Sequence, residues 1–453
     1  MLVYFVNHSV APVNLGGAER SMIKLVEDWY ASDPTFEAFF LTKAPKGQFI
    51  KAIEERGWKY RAFRYRGWTI PKADAPLSEI TYFAREDYAS TLEIIKEMER
   101  RRPDLVVTNT IVAPWGAFAA KVLGIPHAWF IREYGDLDHG LAFQIGRGPT
   151  FEDIGLMSEV IFTNSLAVRE HVGQYVPIER LNVVYPQIDT RALAERAAET
   201  PAVQAFGDDD ALRVTVVGRV KPNKGQWRVI EAMGLLAKRG VDVRLCVVGS
   251  WEQAGYDMEL AARARELGVG DRIVFTGEQP NPFPYIAAAD VCVTPSSIEA
   301  FGRTTLEFML SGKAVVASNA GGSAELVDPG VTGWLYDPDD IEELATHLER
   351  YATDRATARA HGVAARARAE SLMTEEFSNA AAIAKLQHAA TLEPYRLPHI
   401  ARYWFALPGH FAAMTASPRI TVPFIMTRVK GRAKRWVIAP VAAVARRVRR
   451  GGR

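Results

Sequence analysis

The sequence predicts an α/β protein built from two doubly wound parallel sheets in tandem. Three observations carry that expectation. Short apolar runs ending in polar residues alternate with helix-like stretches, the pattern stops near residue 200 and restarts after it, and 453 residues exceed what a single hydrophobic core fills. In the first half the runs are 2–7 (Leu-Val-Tyr-Phe-Val-Asn), 104–109 (Asp-Leu-Val-Val-Thr-Asn) and 159–164 (Glu-Val-Ile-Phe-Thr-Asn). Continuous apolar segments of this length read as parallel strands buried on both faces. The second half repeats the pattern at 212–218, 243–249, 272–277, 290–294 and 314–318. Between the halves, residues 195–211 hold Thr200-Pro201 and the triplet Asp208-Asp209-Asp210 without apolar periodicity, the composition of a linker. One Rossmann-like domain is therefore expected over 1–200 and a second over 201–374. Ligands of open α/β sheets bind outside the carboxyl ends of the strands, so the strand-end loops are where the chemistry is expected.

Composition narrows the class. Hydrophobic residues at 48% and charged residues at 24% are ordinary globular usage and exclude a disordered, collagen-like or coiled-coil chain. The two cysteines, Cys246 and Cys292, both lie in apolar segments, which excludes a disulfide scaffold or cysteine-zinc module and makes a reducing cytoplasm the default. Residues 1–8 have no basic lead or long apolar core, so no secretory signal is expected, and no run of eighteen apolar residues predicts a simple spanning helix. The net charge of +2 conceals an asymmetry: residues 394–453 carry thirteen Lys and Arg and no acid, leaving 42 basic against 53 acidic residues in the rest. An acidic body with a basic tail predicts an anionic surface as the tail's partner. No internal repeat appears, and the one biased tract is the alanine- and arginine-rich stretch at 355–370.

Three loops carry candidate chemistry. After the first strand, Asn14-Leu-Gly16-Gly17-Ala-Glu-Arg20 opens an amphipathic helix marked by Met22, Leu25, Val26 and Trp29. Gly16 and Gly17 let backbone approach a ligand, and the helix N-terminus offers N–H groups to an anion; a tight turn would account for the same glycines. After the strand ending at Gly218, Arg219 and Lys224 frame a turn, Arg219 as a fork and Lys224 as a point charge. They suit a diphosphate, and a solvated basic loop is the competing reading. The strongest signal is Pro295-Ser-Ser-Ile-Glu299-Ala-Phe301-Gly302-Arg303-Thr-Thr-Leu-Glu307, from strand to helix. Glu299 suits sugar hydroxyls, the N–H groups near Gly302 and Arg303 a phosphate, and Glu307 a ribose diol; a helix cap plus a surface acid is the alternative. A second glycine turn, Asn319-Ala-Gly-Gly-Ser-Ala-Glu325, follows the next strand.

In this order, Gly-Gly-Ala-Glu-Arg at 16–20, Gly-Arg…Lys-Gly at 218–225, the glutamate pair 299 and 307, Gly-Gly-Ser-Ala-Glu at 321–325 and Gly-x-Thr-Gly-Trp at 330–334 resemble glycosyltransferase family 4. These are retaining nucleotide-sugar enzymes of the GT-B fold, and the likeness is to the bacterial envelope or exopolysaccharide type over roughly residues 1–390. The resemblance implies that Arg219 and Lys224 hold the donor diphosphate, Glu299 the sugar hydroxyls and Glu307 the ribose. The amides around Gly16, Gly17, Phe301, Gly302 and Arg303 would complete the phosphate cradle. It also implies a UDP- or GDP-linked donor as substrate, with no cofactor and no metal. Fixed cations and amides stabilise a departing nucleoside diphosphate without a metal.

One stretch departs from the family pattern. Many members carry a histidine past a proline after the fourth strand of the first domain, whereas here residues 125–136 read Ile-Pro-His127-Ala-Trp-Phe130-Ile-Arg132-Glu133-Tyr-Gly-Asp136. His127 falls early in the strand and reads as a packed or hydrogen-bonded histidine. Arg132 and Glu133 are the candidates to face the donor, and Arg132 joins the catalytic set with Glu299, Arg219 and Lys224. His8, at the end of the first strand, is another candidate, with a polar strand-end cap as the competing reading. The donor base is expected near 276–284.

Residues 375–390 suit the helix that returns to the first domain in this fold. In the basic aromatic tail, 391–453, Val437, Val441, Val444 and Val448 recur at helical spacing beside Arg446, Arg447, Arg449 and Arg450, with Pro440 interrupting. Two readings stand: an interfacial helix on anionic lipid, or a solvated tail. No recognition motif accompanies the arginines, so nucleic acid is not an expected partner. The expectation is a cytoplasmic enzyme, peripheral at the inner membrane face, passing sugar from a nucleotide donor to a glycan or lipid-linked acceptor with retention. The alternative is an inactive nucleotide-sugar-binding subunit that tethers a partner to membrane.

Overall fold

Residues 1–11, 14–70 and 77–394 are described by the structure, a computed structural model. Its strands in chain order are β1 (Leu2–Asn7), β2 (Glu37–Thr42), β3 (Lys59–Ala62), β4 (Thr69–Ile70), β5 (Leu105–Asn109), β6 (His127–Ile131), β7 (Ala142–Phe143), β8 (Val160–Thr163) and β9 (Leu181–Val183). The second half contributes β10 (Leu212–Val217), β11 (Val243–Val248), β12 (Ile273–Gly277), β13 (Val291–Thr294), β14 (Ala314–Ser318) and β15 (Gly333–Tyr336). Among the described residues they form a seven-stranded sheet, β3-β2-β1-β5-β6-β8-β9, and a six-stranded sheet, β12-β11-β10-β13-β14-β15. All pairings within these two sheets are parallel, and β4 pairs antiparallel with β7 apart from them.

The predicted runs become the sheet centres because both of their faces are covered. Every residue of β5, β6, β13 and β14 is buried, which only apolar or hydrogen-bonded side chains tolerate. Strands β2, β3, β9 and β15 lie outside the segments predicted from sequence. The helix Thr190–Ala197, capped by the Asp189 side chain on the N–H groups of Arg191 and Ala192, also takes the first residues of the predicted linker. The connection without helix or strand runs over 198–211.

Helices cover both sheets. Met22, Leu25, Val26 and Trp29 of the helix Gly17–Ser32 face the first core, where Trp29 stacks on Phe36 at 4.4 Å. The helix Asn379–Ala389 puts Ala382, Ile383, Leu386 and Ala389 into that same core, and Asn379 donates to Asp28 at 2.7 Å. The last described helix thus returns to the first sheet. Each large apolar side chain buried in this way contributes about 1.5–3 kcal/mol. Strand order reverses between β1 and β5 in one sheet and between β10 and β13 in the other. Those switch points open crevices at the carboxyl ends of β1, β10 and β13, where the three candidate loops begin. The tail from 395 onward, with its predicted interfacial helix, lies outside the described residues.

Candidate functional site

Two helix N-termini meet across the cleft. The helix Gly17–Ser32 starts at Gly16 and the helix Arg303–Leu310 at Gly302, and neither has a side-chain cap. A Cβ on Gly17 would lie 3.7 Å from Cδ of Arg303, so the first-turn N–H groups of both helices border one space. Unpaired N–H groups and the positive ends of two helix dipoles make that space attractive to an anion. Arg303 donates from Nε to Glu307 at 3.1 Å, while its Nη1 is buried without a hydrogen-bond partner. A buried guanidinium N–H left unpaired costs about 1–3 kcal/mol or more, so an acceptor belongs there. Burial holds the Arg20 guanidinium below its ordinary value while Glu307 opposes that, which sets Arg20 beside the same pair.

The second loop supplies the clamp. Lys224 Nζ donates to Glu299 Oε1 at 2.5 Å, and Ser296 Oγ donates to the same oxygen at 2.6 Å. Burial pushes the Glu299 carboxyl up, but the Lys224 ammonium and the Ser296 hydroxyl outweigh it and hold the group below the ordinary carboxylate range. The glycine turn after β14 pins this loop: the Gly322 N–H donates to the Glu299 carbonyl at 2.7 Å. Arg219 does not join Lys224 and Glu299; it pairs with Glu252, which also holds Lys221 at 3.3 Å. Phe301 packs its ring on Tyr185, 5.2 Å between centroids, so only its backbone is left for the phosphate cradle. Asn14 crosses the cleft to bond Glu278, inside the segment expected to meet the base.

Arg132 and Glu133 point into the first domain. Arg132 Nε donates to Asn109 Oδ1 at 2.5 Å, Asn109 donates to Asn7 at 3.0 Å, and Asn7 donates to Glu19 at 3.3 Å behind the glycine pair. Arg132 is therefore placed to position the Gly16–Gly17 turn through this amide chain. Burial lowers its guanidinium to about 10, with Glu133 and Glu19 opposing. Glu133 Oε1 accepts from the Ile111 N–H at 2.9 Å, and burial raises its carboxyl to about 8 from 4.5. Between those values the folded chain keeps a proton that the unfolded chain has lost. The group's contribution is thus fully present below pH 4.5 and falls, by roughly 1.4 kcal/mol per pH unit, as the pH rises towards 8. Glu133→Gln keeps an acceptor for Ile111 and has no proton to lose. Thermal denaturation between pH 5 and 8 is expected to show a flatter decline in the variant and a higher Tm at pH 8; parallel curves would refute the assignment.

His127 is fully buried between Thr108 Oγ1 at 2.8 Å and Ser158 Oγ at 3.1 Å, a structural histidine. His8 bonds Thr110 Oγ1 at 2.7 Å, the strand-end contact expected of it. The histidine that reaches the clamp is His139, in the short helix Asp136–His139 and three residues beyond the stretch searched in the sequence. Burial and the cations Lys221, Lys224 and Arg219 hold it below its ordinary value, with Asp138 opposing, and its charge acts in turn on Glu299. Asp138 fixes the turn by accepting from the N–H groups of Tyr134 and Gly135, and its carbonyl accepts from Asn223 at 3.0 Å across the cleft. Ser296 and Arg20 are the other residues not singled out from sequence. The signal for Arg20 was present, since it closes the Gly-Gly-Ala-Glu-Arg motif.

The fold has known counterparts. Residues 201–368 match the family of glycosyl transferases group 1. That glycosyltransferase group 1 domain carries β10 to β15 and every second-domain site residue named above. The chain is 33% identical over 190 residues to the lipopolysaccharide core biosynthesis mannosyltransferase LpsB of Rhizobium meliloti, covering 40% of this chain and 54% of the relative. It is 32% identical over 199 residues to the mannosyltransferase LpcC of Rhizobium leguminosarum bv. viciae, covering 44% and 56%. The chain thus spans about half the length of these curated relatives. The fold extends further: the crystal structure of Anabaena Alr3699/HepE in complex with UDP aligns with a TM-score of 0.67 at 23% identity, over 86% of this chain and 100% of that one. Two parallel-stranded domains facing across a cleft are the GT-B architecture.

Proposed function

We propose that this protein transfers a sugar from a UDP- or GDP-linked donor to a glycan or lipid-linked acceptor, with retention of anomeric configuration. The observation that carries the reading is the buried, unpartnered Nη1 of Arg303 between two uncapped helix N-termini, with the Lys224–Glu299 pair held in the loop that leads into the second of them. In this reading the donor diphosphate takes Lys224, the Arg303 guanidinium and the facing amides. Arg219 exchanges Glu252 for a phosphate oxygen. Glu299, freed from Lys224, accepts from sugar hydroxyls, Glu307 accepts from the ribose, and His139 closes the reacting end from the first domain. As the sugar–phosphate bond breaks, charge grows on the leaving diphosphate, where fixed donors in a water-poor cleft act most strongly. These groups supply the positive charge, so donor binding is expected to persist in chelator. Retention rests on the family resemblance, and no protein nucleophile is assigned.

An envelope glycan fits as acceptor because the similar proteins include lipopolysaccharide core mannosyltransferases. The deciding experiment is titration of UDP and GDP into the protein without metal, followed by assay of nucleoside diphosphate release with and without acceptor glycans. Binding of one nucleotide with acceptor-dependent release supports transfer. Binding with no release under any acceptor favours the inactive-subunit reading. No helix among the described residues is long and apolar enough to cross a membrane. We propose that the basic tail holds the enzyme on anionic lipid, each cation near the surface contributing about 1 kcal/mol. Deleting residues 394–453 is expected to abolish co-sedimentation with phosphatidylglycerol vesicles; undiminished co-sedimentation would refute the role.

A further inference from the structure

A cavity of about 540 Å³ opens at the carboxyl ends of β1, β2 and β3, lined in part by His8, Ser9, Lys43, Arg64, Arg66 and Glu86. We propose that this cavity binds an anionic group of the acceptor, a phosphate ester above all. The inference rests on the transferase reading and adds the chemistry by which the first domain selects its substrate.

Three cations converge here, and among the described residues none of Lys43, Arg64 and Arg66 forms an ion pair. By contrast Arg61, within β3, pairs with Glu93 and Glu97. Among the described residues Glu86 is the one acid in the lining. Asp87, directly behind it, is occupied by the backbone N–H groups of Arg66 and Gly67. Burial and the neighbouring Arg66 hold the Lys43 ammonium below its ordinary value, with Asp87 opposing. Arg66 is held over the Phe83 ring at 3.9 Å, which fixes its guanidinium without consuming its donors. Two forked guanidiniums and an ammonium around one space suit a tetrahedral dianion.

The position fits an acceptor rather than the donor. The cavity shares the end of β1 with the glycine pair but lies on the β2–β3 side, away from Arg303. His8 lines the cavity. Burial, Lys43 and His139 push its imidazole down to about 4, so it is neutral there. An acceptor anchored by its anion at Lys43, Arg64 and Arg66 extends past His8 and His139 towards the Lys224–Glu299 clamp.

The test is calorimetric titration of glucose 6-phosphate, glucose and monomeric dihexanoylphosphatidic acid into the full chain. It is run with excess UDP or GDP present and repeated on Lys43→Ala, Arg64→Gln and Arg66→Gln. The phosphate compounds are expected to bind, glucose not, and each variant to lose at least tenfold in affinity while nucleotide affinity stays within twofold. Arg64→Gln disturbs no packed ring, so it reads the charge even where Arg66→Gln loosens Phe83. Tighter binding of the lipid assigns the anion to a lipid-linked acceptor; tighter binding of the sugar phosphate assigns it to a phosphorylated glycan. Equal affinity in wild type and all three variants, or glucose binding as well as its phosphate, overturns the proposal. The wild-type-minus-variant difference reads the cavity whether or not a nucleotide binds. Loss of nucleotide binding alone would therefore sink the donor assignment and leave this one standing.

Discussion

Replacing Lys224 by alanine is expected to weaken nucleoside diphosphate binding about 10- to 100-fold, because a hydrogen bond between charged groups is worth about 1.5–3 kcal/mol. The same change removes the counter-ion of Glu299. That carboxylate is held below its ordinary range by Lys224 and Ser296 against the pull of burial. With only Ser296 left, burial prevails and the carboxyl protonates at higher pH. Two readouts follow. Calorimetry should show the affinity loss at neutral pH, and the acid limb of the kcat/KM profile should move upward, since the ionised form of Glu299 is the one that accepts from sugar hydroxyls. The ion pair also contributes stability that is present above the ordinary carboxyl value and is lost as pH falls through the depressed one; in the variant that acid-side loss disappears. Lys224→Arg keeps the charge and should retain most of the affinity. Unchanged binding in Lys224→Ala would move the diphosphate to Arg303 and the helix N-termini alone.

The sheets were legible because their central strands are continuous apolar runs, and burial on both faces permits little else. Strand β3, Lys-Tyr-Arg-Ala, sits at a sheet edge and is half exposed, so its pattern carries no such signature. The donor loops were legible as an ordered set of motifs; in the structure Arg303 lies beside Gly17 and Glu307, and Lys224 pairs with Glu299. What the order of motifs did not contain was pairing. Arg219 and Lys224 stand five positions apart, yet one turns to Glu252 after β11 and the other to Glu299 after β13, a choice made by side chains 33 and 75 residues away. His139 was missed for a related reason. Its place is set by Asp138 closing the turn at 134–138, and a search framed on distance from Pro126 stops short of it. The cation cavity draws its residues from the ends of β1, β2 and β3 and from the helix Leu77–Arg100, so no local window holds it.

Gly302→Ala tests whether the phosphate cradle is as rigid as its geometry implies. Gly302 has φ +85°, where a side chain costs about 1–2 kcal/mol, and its Cβ would lie 2.2 Å from Ser323 Oγ and 3.1 Å from Thr305 Oγ1. Neither oxygen is free to yield: Ser323 bonds Thr305 at 3.1 Å and Thr305 bonds Thr294 at 2.8 Å, a buried chain of hydroxyls. The variant must break that chain, at about 1–3 kcal/mol per orphaned group, or move residue 302 and with it the first turn of the helix Arg303–Leu310. Either route lowers Tm by several degrees, at about 2–4 °C per kcal/mol for a domain of this size, and displaces Arg303 from Gly17. A second substitution separates the two routes. Ser323→Ala removes the oxygen in the way, so Gly302→Ala/Ser323→Ala should be more stable than the sum of the single effects allows and should regain part of the nucleotide affinity. Strict additivity would mean that the backbone, not the Ser323 contact, bears the cost, and the helix N-terminus would then be the part of the site that the glycine protects.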